Sequence, residues 1–234
     1  MKIIGHRGAR ALSPENTIAS LEKAIEHGVD MVEVDVHVTK DGVAVLHHDP
    51  AIIDPDGGET IIARTSYAEL LRHKPDIAAL DHAIRAIQHR CRIMIELKPS
   101  IPTKQTIAII QDRLSRGWDL KEFAIASYDP AILMAFKRHF PGIELVVNEV
   151  WSGMRAMHRA RRLGTKRINM YEQWLYPSYL AMMKQRGYKL AIFPANKDRW
   201  HQTKSHANSP TRLKKWRPYL YAIITDRPDL FENH

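Results

Sequence analysis

The chain has 234 residues, with 35 Lys and Arg against 26 Asp and Glu, and a single cysteine, Cys91. Its 44% apolar and 26% charged composition is typical of a soluble globular protein and excludes disordered, collagen-like and coiled-coil chains. No apolar run approaches the roughly 18 residues of a membrane span. A lone cysteine excludes an intrachain disulfide, and the first residues offer too short an apolar stretch for an export signal, so we expect a cytoplasmic location.

Apolar runs of strand length alternate along the chain with longer segments of helical period, such as Ile107, Ile110 and Leu114. This alternation predicts parallel strands joined by crossover helices. About eight such units favour an α/β fold, a single-domain (β/α)₈ TIM barrel over residues 1–234. The turn-rich residues 50–66 predict a short insertion after the second barrel strand. The strand-like runs are Lys2–Gly5, Met31–Val36, Val43–Leu46, Arg92–Leu97, Phe123–Ala126, Ile143–Val147, Arg167–Met170, Lys189–Phe193 and Ala222–Thr225.

Charge is divided unevenly between the two halves of the chain. Residues 1–117 carry 15 basic and 16 acidic side chains, whereas residues 118–234 carry 20 basic and 10 acidic ones. Such asymmetry is typical either of a protein with an anionic partner or of one with solvated basic outer helices. We favour the second explanation, solvated basic outer helices. We expect no nucleic-acid partner, because no recognised nucleic-acid-binding motif accompanies the basic residues.

Acidic residues lie near the ends of two predicted barrel strands. Glu33 and Asp35 are two positions apart in the second run, and Glu96 lies near the end of the run 92–97. Residues two apart share one strand face, and strand ends carry the active sites of barrels. Glu33 and Asp35 alone would equally suit ion pairs, but three clustered carboxylates repel unless a cation compensates them. Oxygen ligands favour Mg²⁺ or Ca²⁺ over zinc, so we predict a divalent cation here.

Basic and imidazole side chains occupy the same predicted strand ends. Arg7 follows the first run and Lys98 follows the run 92–97, and two such cations predict a phosphate-binding pocket. His6 and His48 titrate near neutrality, as general acid and base chemistry requires, although a lone histidine at a strand end is more often structural. Together with a hard metal, these residue types indicate phosphodiester hydrolysis.

Eight motifs along the chain resemble those of the glycerophosphodiester phosphodiesterase family. The resemblance covers essentially the whole chain and is most specific in the first 50 residues. The motifs are His6-Arg7-Gly8, Pro14-Glu15-Asn16-Thr17, the run Gly28 to Val36, Thr39-Lys40-Asp41-Gly42, His48-Asp49, Glu96-Leu97-Lys98, Ser127-Tyr128-Asp129-Pro130 and Ile224-Thr225-Asp226-Arg227-Pro228.

This resemblance implies a (β/α)₈ barrel that hydrolyses small glycerophosphodiesters to glycerol 3-phosphate and an alcohol. It implies a divalent metal on Glu33, Asp35 and Glu96. It also implies His6 and His48 as the catalytic pair, with Arg7 and Lys98 at the phosphate. A lysophospholipase D-type phosphodiesterase and a non-catalytic barrel that binds a phosphate ligand are the alternatives. The leaving alcohol, the physiological metal, the oligomeric state and the choice between direct attack by water and a cyclic phosphate intermediate stay open.

The chain departs from the family pattern on the seventh strand, where Phe193-Pro194-Ala195-Asn196 replaces a Trp-Thr-x-Asn-like segment. The excursion after His48 is short, which predicts an open pocket. Ser13-Pro14-Glu15 predicts the start of the first helix, with Asn16 as another cap or as a brace for the site. The basic residues 197–217, which include Trp200 and Trp216, are of a type that binds anionic membrane surfaces. We instead expect this segment to be a loop and an outer helix whose charges face solvent.

Overall fold

The computed structural model describes residues 1–54, 56–194 and 206–231. Eight parallel strands form a closed ring, because the first strand pairs with both the second and the last. The predicted single-domain (β/α)₈ barrel is therefore confirmed. The ring strands are β1 (Lys2–Gly5), β2 (Met31–Val38), β6 (Arg92–Leu97), β7 (Phe123–Ser127), β8 (Glu144–Glu149), β9 (Arg167–Tyr171), β10 (Lys189–Phe193) and β11 (Ala222–Thr225).

Helices surround the ring and cover its outer face. A 3₁₀ turn, Pro228–Phe231, follows the last strand. None of the helices within the described ranges is long and apolar enough to cross a membrane. They are α1 (Ile18–Glu26), α2 (Tyr67–His73), α3 (Leu80–Ile87), α4 (Lys104–Ser115), α5 (Pro130–His139), α6 (Gly153–Leu163), α7 (Pro177–Gln185) and α8 (Pro210–Leu213).

The insertion after β2 contains more regular structure than the sequence indicated. β3 (Ala44–Leu46) pairs antiparallel with β2 outside the ring, and a separate hairpin joins β4 (Ala51–Ile53) to β5 (Glu59–Ile61). The hairpin strands are only three residues long, so no periodicity could reveal them in a segment rich in Asp, Pro and Gly. A small apolar cluster anchors the insertion, formed by Val45, Ile52, Ile62, Leu70 and Ile77.

Strand alternation divides the ring residues between two cores. On β2, Val32, Val34 and Val36 point outward into the large core under the helices. Met31, on the opposite face, joins a smaller core inside the barrel, which alanines from β7, β10 and β11 help to fill. Glu33 and Asp35 share the inward face with Met31 because side chains alternate along a strand. Apolar residues therefore fill the lower barrel, and polar residues fill its C-terminal end.

The first helix begins later than the sequence predicts. Thr17, not Ser13, is the N-cap of α1, and its hydroxyl accepts a hydrogen bond from the Ser20 amide at 3.1 Å. Asn16 directly before it has a φ of 57°, in the left-handed region. Because the chain turns sharply there, residues 13–16 form a loop rather than a helical turn. Asn16 is therefore a brace for the site and not a cap.

Candidate active site

All seven residues singled out from the sequence line one cleft at the C-terminal end of the barrel, with a volume of about 460 Å³. This is the end of a TIM barrel that carries active sites. The residues come from the β1–α1 turn, from β2 and β6, and from the loop after β3. They are His6, Arg7, Glu33, Asp35, His48, Glu96 and Lys98.

The three carboxylates form one cluster. Glu33, Asp35 and Glu96 each offer a ligand oxygen, and these oxygens lie within 4.8 Å of one another. Asp35 and Glu96 are partners in the register between β2 and β6, which places them side by side. Asn148 on β8 donates to Glu96 Oε2 at 2.8 Å, and the backbone N–H of Arg7 donates to Glu33 Oε2 at 2.9 Å.

Asp35 is the ionised centre of the cluster. Its carboxylate contacts Lys98 Nζ directly, lies 3.2 Å from Arg7 Nε, and accepts from Asn16 Nδ2 at 3.1 Å. Burial alone would raise the pKa of Asp35, but the positive charges of Lys98 and Arg7 lower it well below its usual range. Asn16 also accepts from the Asp35 backbone N–H at 3.1 Å, so the loop before α1 fixes this residue from two directions.

The other two carboxylates are less well compensated. Burial and the charges of Asp35 and Glu96 raise the pKa of Glu33 well above its usual value, although the positive charge and the backbone N–H of Arg7 oppose them. Burial also raises the pKa of Glu96, although Lys98 at 3.4 Å opposes the shift. The cluster thus carries more negative charge than its neighbours neutralise. Oxygen donors with surplus negative charge fit a hard divalent cation.

The two predicted phosphate-binding cations lie on either side of Asp35. The Arg7 side chain is only 5% exposed, and it pairs with Glu15 at 2.6 Å as well as with Asp35. Arg7 itself has a φ of 51°, which the sharp turn after β1 requires. Lys98 follows β6, and its ammonium group spans Asp35 and Glu96. The acidic cluster therefore orients both cations beside the cleft.

Each of the two histidines is paired with an aspartate through Nδ1. His6 Nδ1 lies 2.6 Å from Asp226 Oδ1, and Asn208 donates to the other carboxylate oxygen at 2.9 Å. His48 Nδ1 lies 2.8 Å from Asp49 Oδ1. Burial lowers the pKa of His6, and burial lowers that of His48 to about 4. Both rings are therefore neutral near pH 7, and Nδ1–H donation to an aspartate leaves Nε2 unprotonated.

Several residues in the cleft or directly behind it were not among the predicted site residues. Asp226, beside His6, and Asn208 behind it come from the far end of the chain. Asn148 and Asn169 are inward-facing amides linked by a 3.0 Å hydrogen bond, and each follows an apolar residue on its strand. An amide residue that directly follows an apolar residue within a strand is the signal that could have identified them. His37 supports the backbone of residue 48, because its Nε2 lies 3.2 Å from that carbonyl oxygen.

Aromatic side chains in β9 and β10, and in the loops after β7 and β8, form one wall of the cleft. Tyr128, Trp151, Tyr171 and Phe193 all line it, and the rings of Tyr171 and Phe193 are 5.6 Å apart. Pro194 follows the last residue of β10, so its missing N–H costs no strand hydrogen bond. Of the unusual segment 193–196, residues 195 and 196 lie outside the described residues.

A closed barrel with clustered carboxylates, cations and histidines at its C-terminal mouth is the arrangement expected of a phosphate-ester hydrolase. The sequence model of the glycerophosphoryl diester phosphodiesterase family matches residues 6–230. The chain belongs to this family.

Individual relatives agree with this assignment. A glycerophosphodiester phosphodiesterase of Bacillus altitudinis is 28% identical over 160 residues, which are 62% of this chain and 65% of that relative. The human lysophospholipase D GDPD1 is 39% identical over 69 residues, 30% of this chain and 22% of that relative. Each of these two alignments thus covers less than two thirds of this chain and less than two thirds of the relative. A solved Oleispira antarctica phosphodiesterase, in complex with the product sn-glycerol-3-phosphate, is 26% identical with a TM-score of 0.81, covering 99% of this chain and 95% of that one.

Proposed function

We propose that the protein hydrolyses small glycerophosphodiesters to glycerol 3-phosphate and an alcohol, with the help of a divalent cation. The observation that carries this proposal is the convergence of three carboxylates, two cations and two aspartate-paired histidines in one cleft. Family membership supports the reaction class. The related Oleispira antarctica phosphodiesterase, solved with sn-glycerol-3-phosphate, supports a ligand of this kind.

Glu33, Asp35 and Glu96 would hold the cation, and their oxygen donors favour Mg²⁺ or Ca²⁺. When bound, such an ion supplies charge neutralisation at the phosphoryl oxygens. Arg7 and Lys98 add positive charge on either side of Asp35 and would orient the phosphate group.

His6 and His48 are assigned as the acid–base pair. Each ring has Nδ1 directed at an aspartate, so Nε2 is the atom left for proton transfer. A neutral ring accepts the proton of the attacking group, either water or the glycerol 2-hydroxyl, as its oxygen bonds to phosphorus and the bond from phosphorus to the leaving oxygen breaks. A ring that must protonate the leaving alkoxide oxygen gains basicity from the negative phosphate, because a nearby negative charge raises the pKa of an imidazole. The buried carboxylate of Asp226 favours the charged form of His6 further.

Release of glycerol 3-phosphate from a panel of glycerophosphodiesters, with and without added metal after chelation, tests the proposal. We expect turnover only with a divalent cation, and loss of turnover in Glu96→Gln. Full activity after exhaustive chelation would refute the metal assignment. Binding of glycerol 3-phosphate without turnover of any diester would instead indicate a non-catalytic phosphate-binding barrel.

A lysophospholipase D-type activity is the second candidate, and the aromatic wall of the cleft favours it. Tyr128, Trp151, Tyr171 and Phe193 offer apolar surface that a short polar diester would not cover. The local similarity to the human lysophospholipase D supports the same alternative. Comparing kcat/KM for a lysophospholipid and for its deacylated diester, with the same headgroup, separates the two candidates.

A further inference from the structure

Positive charge is concentrated in residues 150–190, between the end of β8 and the start of β10. This segment contains nine Lys and Arg residues against Glu172 alone, while the whole chain has a net charge of +9. Helix α6 has four arginines, one histidine and no acidic residue. The buried Glu149 pairs with Arg155 and Arg159. Arg161 and Arg162 are exposed, and no acidic partner for them lies in the described ranges.

The basic side chains share an open groove on the outer wall of the barrel. The groove lies between α6 and the end of α7, has a volume of about 560 Å³, and lies outside the active-site cleft. Arg161, Lys166 and Arg186 line it together with His158, and no residue found to line it is acidic. Lys166 Nζ lies 4.5 Å from the centre of the Tyr188 ring and donates to the Arg186 carbonyl oxygen at 3.0 Å. Its ammonium group is therefore held in the groove.

Exposed apolar side chains lie at the starts of α6 and α7, and one of them, Met154, lines this groove. Met154 lines the groove and is 60% exposed, while Trp151 is 70% and Tyr176 58% exposed. The first turns of α6 and α7 are in close contact. The Tyr179 hydroxyl group lies so near Gly153 that a β carbon at that position would overlap it. Trp151, Met154 and Tyr176 therefore lie at two adjacent helix starts. We call these three residues and the basic groove the α6–α7 face.

We propose that the α6–α7 face docks the protein on a membrane surface rich in anionic phospholipids. Phosphate headgroups complement a groove with three permanent cations and no acidic lining residue, and an exposed Met, Trp and Tyr suit the headgroup boundary. A nucleic acid would use the cations and stacking rings but would gain little from an aliphatic side chain such as Met154. Trp151 also lines the active-site cleft, so docking places one edge of the cleft at the lipid surface.

This inference goes beyond the proposed reaction and concerns a different surface from the basic segment 197–217. Of that segment, residues 197–205 lie outside the described residues, and Trp216 is buried. The α6–α7 face is instead built from helices packed on the barrel, and its basic side chains do not line the active-site cleft. Its test can therefore be read independently of turnover.

Co-sedimentation with vesicles of phosphatidylcholine and phosphatidylglycerol in equal parts, against phosphatidylcholine alone, tests the proposal on the full chain. We expect binding to the anionic vesicles alone, fading with added salt. A variant with Arg161→Glu, Lys166→Glu and Arg186→Glu should bind at least about a hundredfold more weakly, because each basic residue near an anionic surface contributes about fivefold in affinity. Met154→Ser should weaken binding in the same direction.

The matched control carries Arg64→Glu, Arg72→Glu and Lys104→Glu, which reverse three exposed cations elsewhere on the chain. It should keep most of the vesicle binding, and both variants should hydrolyse a water-soluble diester as the parent does. Absence of pelleting by the parent at low salt would overturn the proposal. Equal loss in the two variants would do so as well, and so would tighter binding of a single-stranded RNA to the same face.

Discussion

Glu33→Gln should raise the stability of the metal-free protein and remove its stabilisation by metal. Glu33 is buried beside Asp35 and Glu96, and their charges together with burial raise its pKa well above the usual value. The glutamine keeps the shape of the side chain and can still accept the hydrogen bond that the Arg7 N–H donates at 2.9 Å. It lacks the charge, so it removes the repulsion together with one metal ligand.

The expected magnitude follows from the separation of the oxygens. Two unit charges within 4.8 Å repel by about 3.5 kcal/mol at an effective dielectric constant of about 20. The pKa of Glu33 is higher in the folded protein than its value of about 4.3 in the unfolded chain. Protonated Glu33 therefore stabilises the fold fully below about pH 4.3, and this stabilisation is lost as the pH rises towards the folded pKa. The metal-free parent should lose up to about 1.4 kcal/mol per pH unit in that window relative to Glu33→Gln.

Thermal unfolding in chelator and in excess Mg²⁺ or Ca²⁺ measures both effects. Metal at a hundred times its Kd stabilises the parent by about 2.7 kcal/mol, a rise in Tm of roughly 5–10 °C for a chain of this size. Glu33→Gln should show little of this rise. Asp35→Asn is the contrasting control, because it leaves Lys98 and Arg7 without their buried partner and should destabilise even metal-free protein by about 3 kcal/mol. A metal-dependent rise in Glu33→Gln equal to the parent's would refute the three-carboxylate site.

Five further substitutions test the site and its supporting loop. His6→Ala and His48→Ala should each lower kcat by about 10²–10⁴-fold while the Tm stays within a few degrees, and activity within about tenfold of the parent would remove that ring from the mechanism. Asn16→Ala should lower the free energy of unfolding by about 1–3 kcal/mol in denaturant titrations, because two buried hydrogen bonds are lost. Thr17→Ala should lower the free energy of unfolding by about 1 kcal/mol, because Thr17 is the N-cap of α1, and Ser13→Ala should lower it much less. A larger loss in Ser13→Ala than in Thr17→Ala would indicate that the helix begins at Ser13.

The sequence was sufficient to predict the acidic part of the site because strand alternation is a local property. Val32, Val34 and Val36 are apolar and fall on one face, so the carboxylates between them must face the other way. Once the strands form a barrel, that other face is its interior. The same reasoning places Glu96, and the structure brings its oxygens close to those of Glu33 and Asp35.

The partners of these residues were harder to predict because they depend on contacts between distant parts of the chain. His6 and Asp226 are 220 positions apart and meet only because β1 pairs with β11 when the barrel closes. Asn16 reaches Asp35 because its backbone adopts a positive φ, which no periodicity in the sequence indicates. The capping pattern at Ser13 was misleading for this reason: loop geometry, not local helix preference, determines where α1 begins.

Sheet register links the stability of the fold to the chemistry of the site. The pairing of β2 with β6 sets Asp35 directly beside Glu96 and Val36 beside Leu97. A slip of one residue would turn the carboxylates into the outer core and the valines into the cleft. Burying three valines contributes roughly 1.5–3 kcal/mol each, which offsets a repulsion of about 3.5 kcal/mol between neighbouring carboxylates. The outward-facing residues of β2 therefore hold the acidic cluster in place even in the metal-free protein, and a bound cation then finds its ligands already positioned.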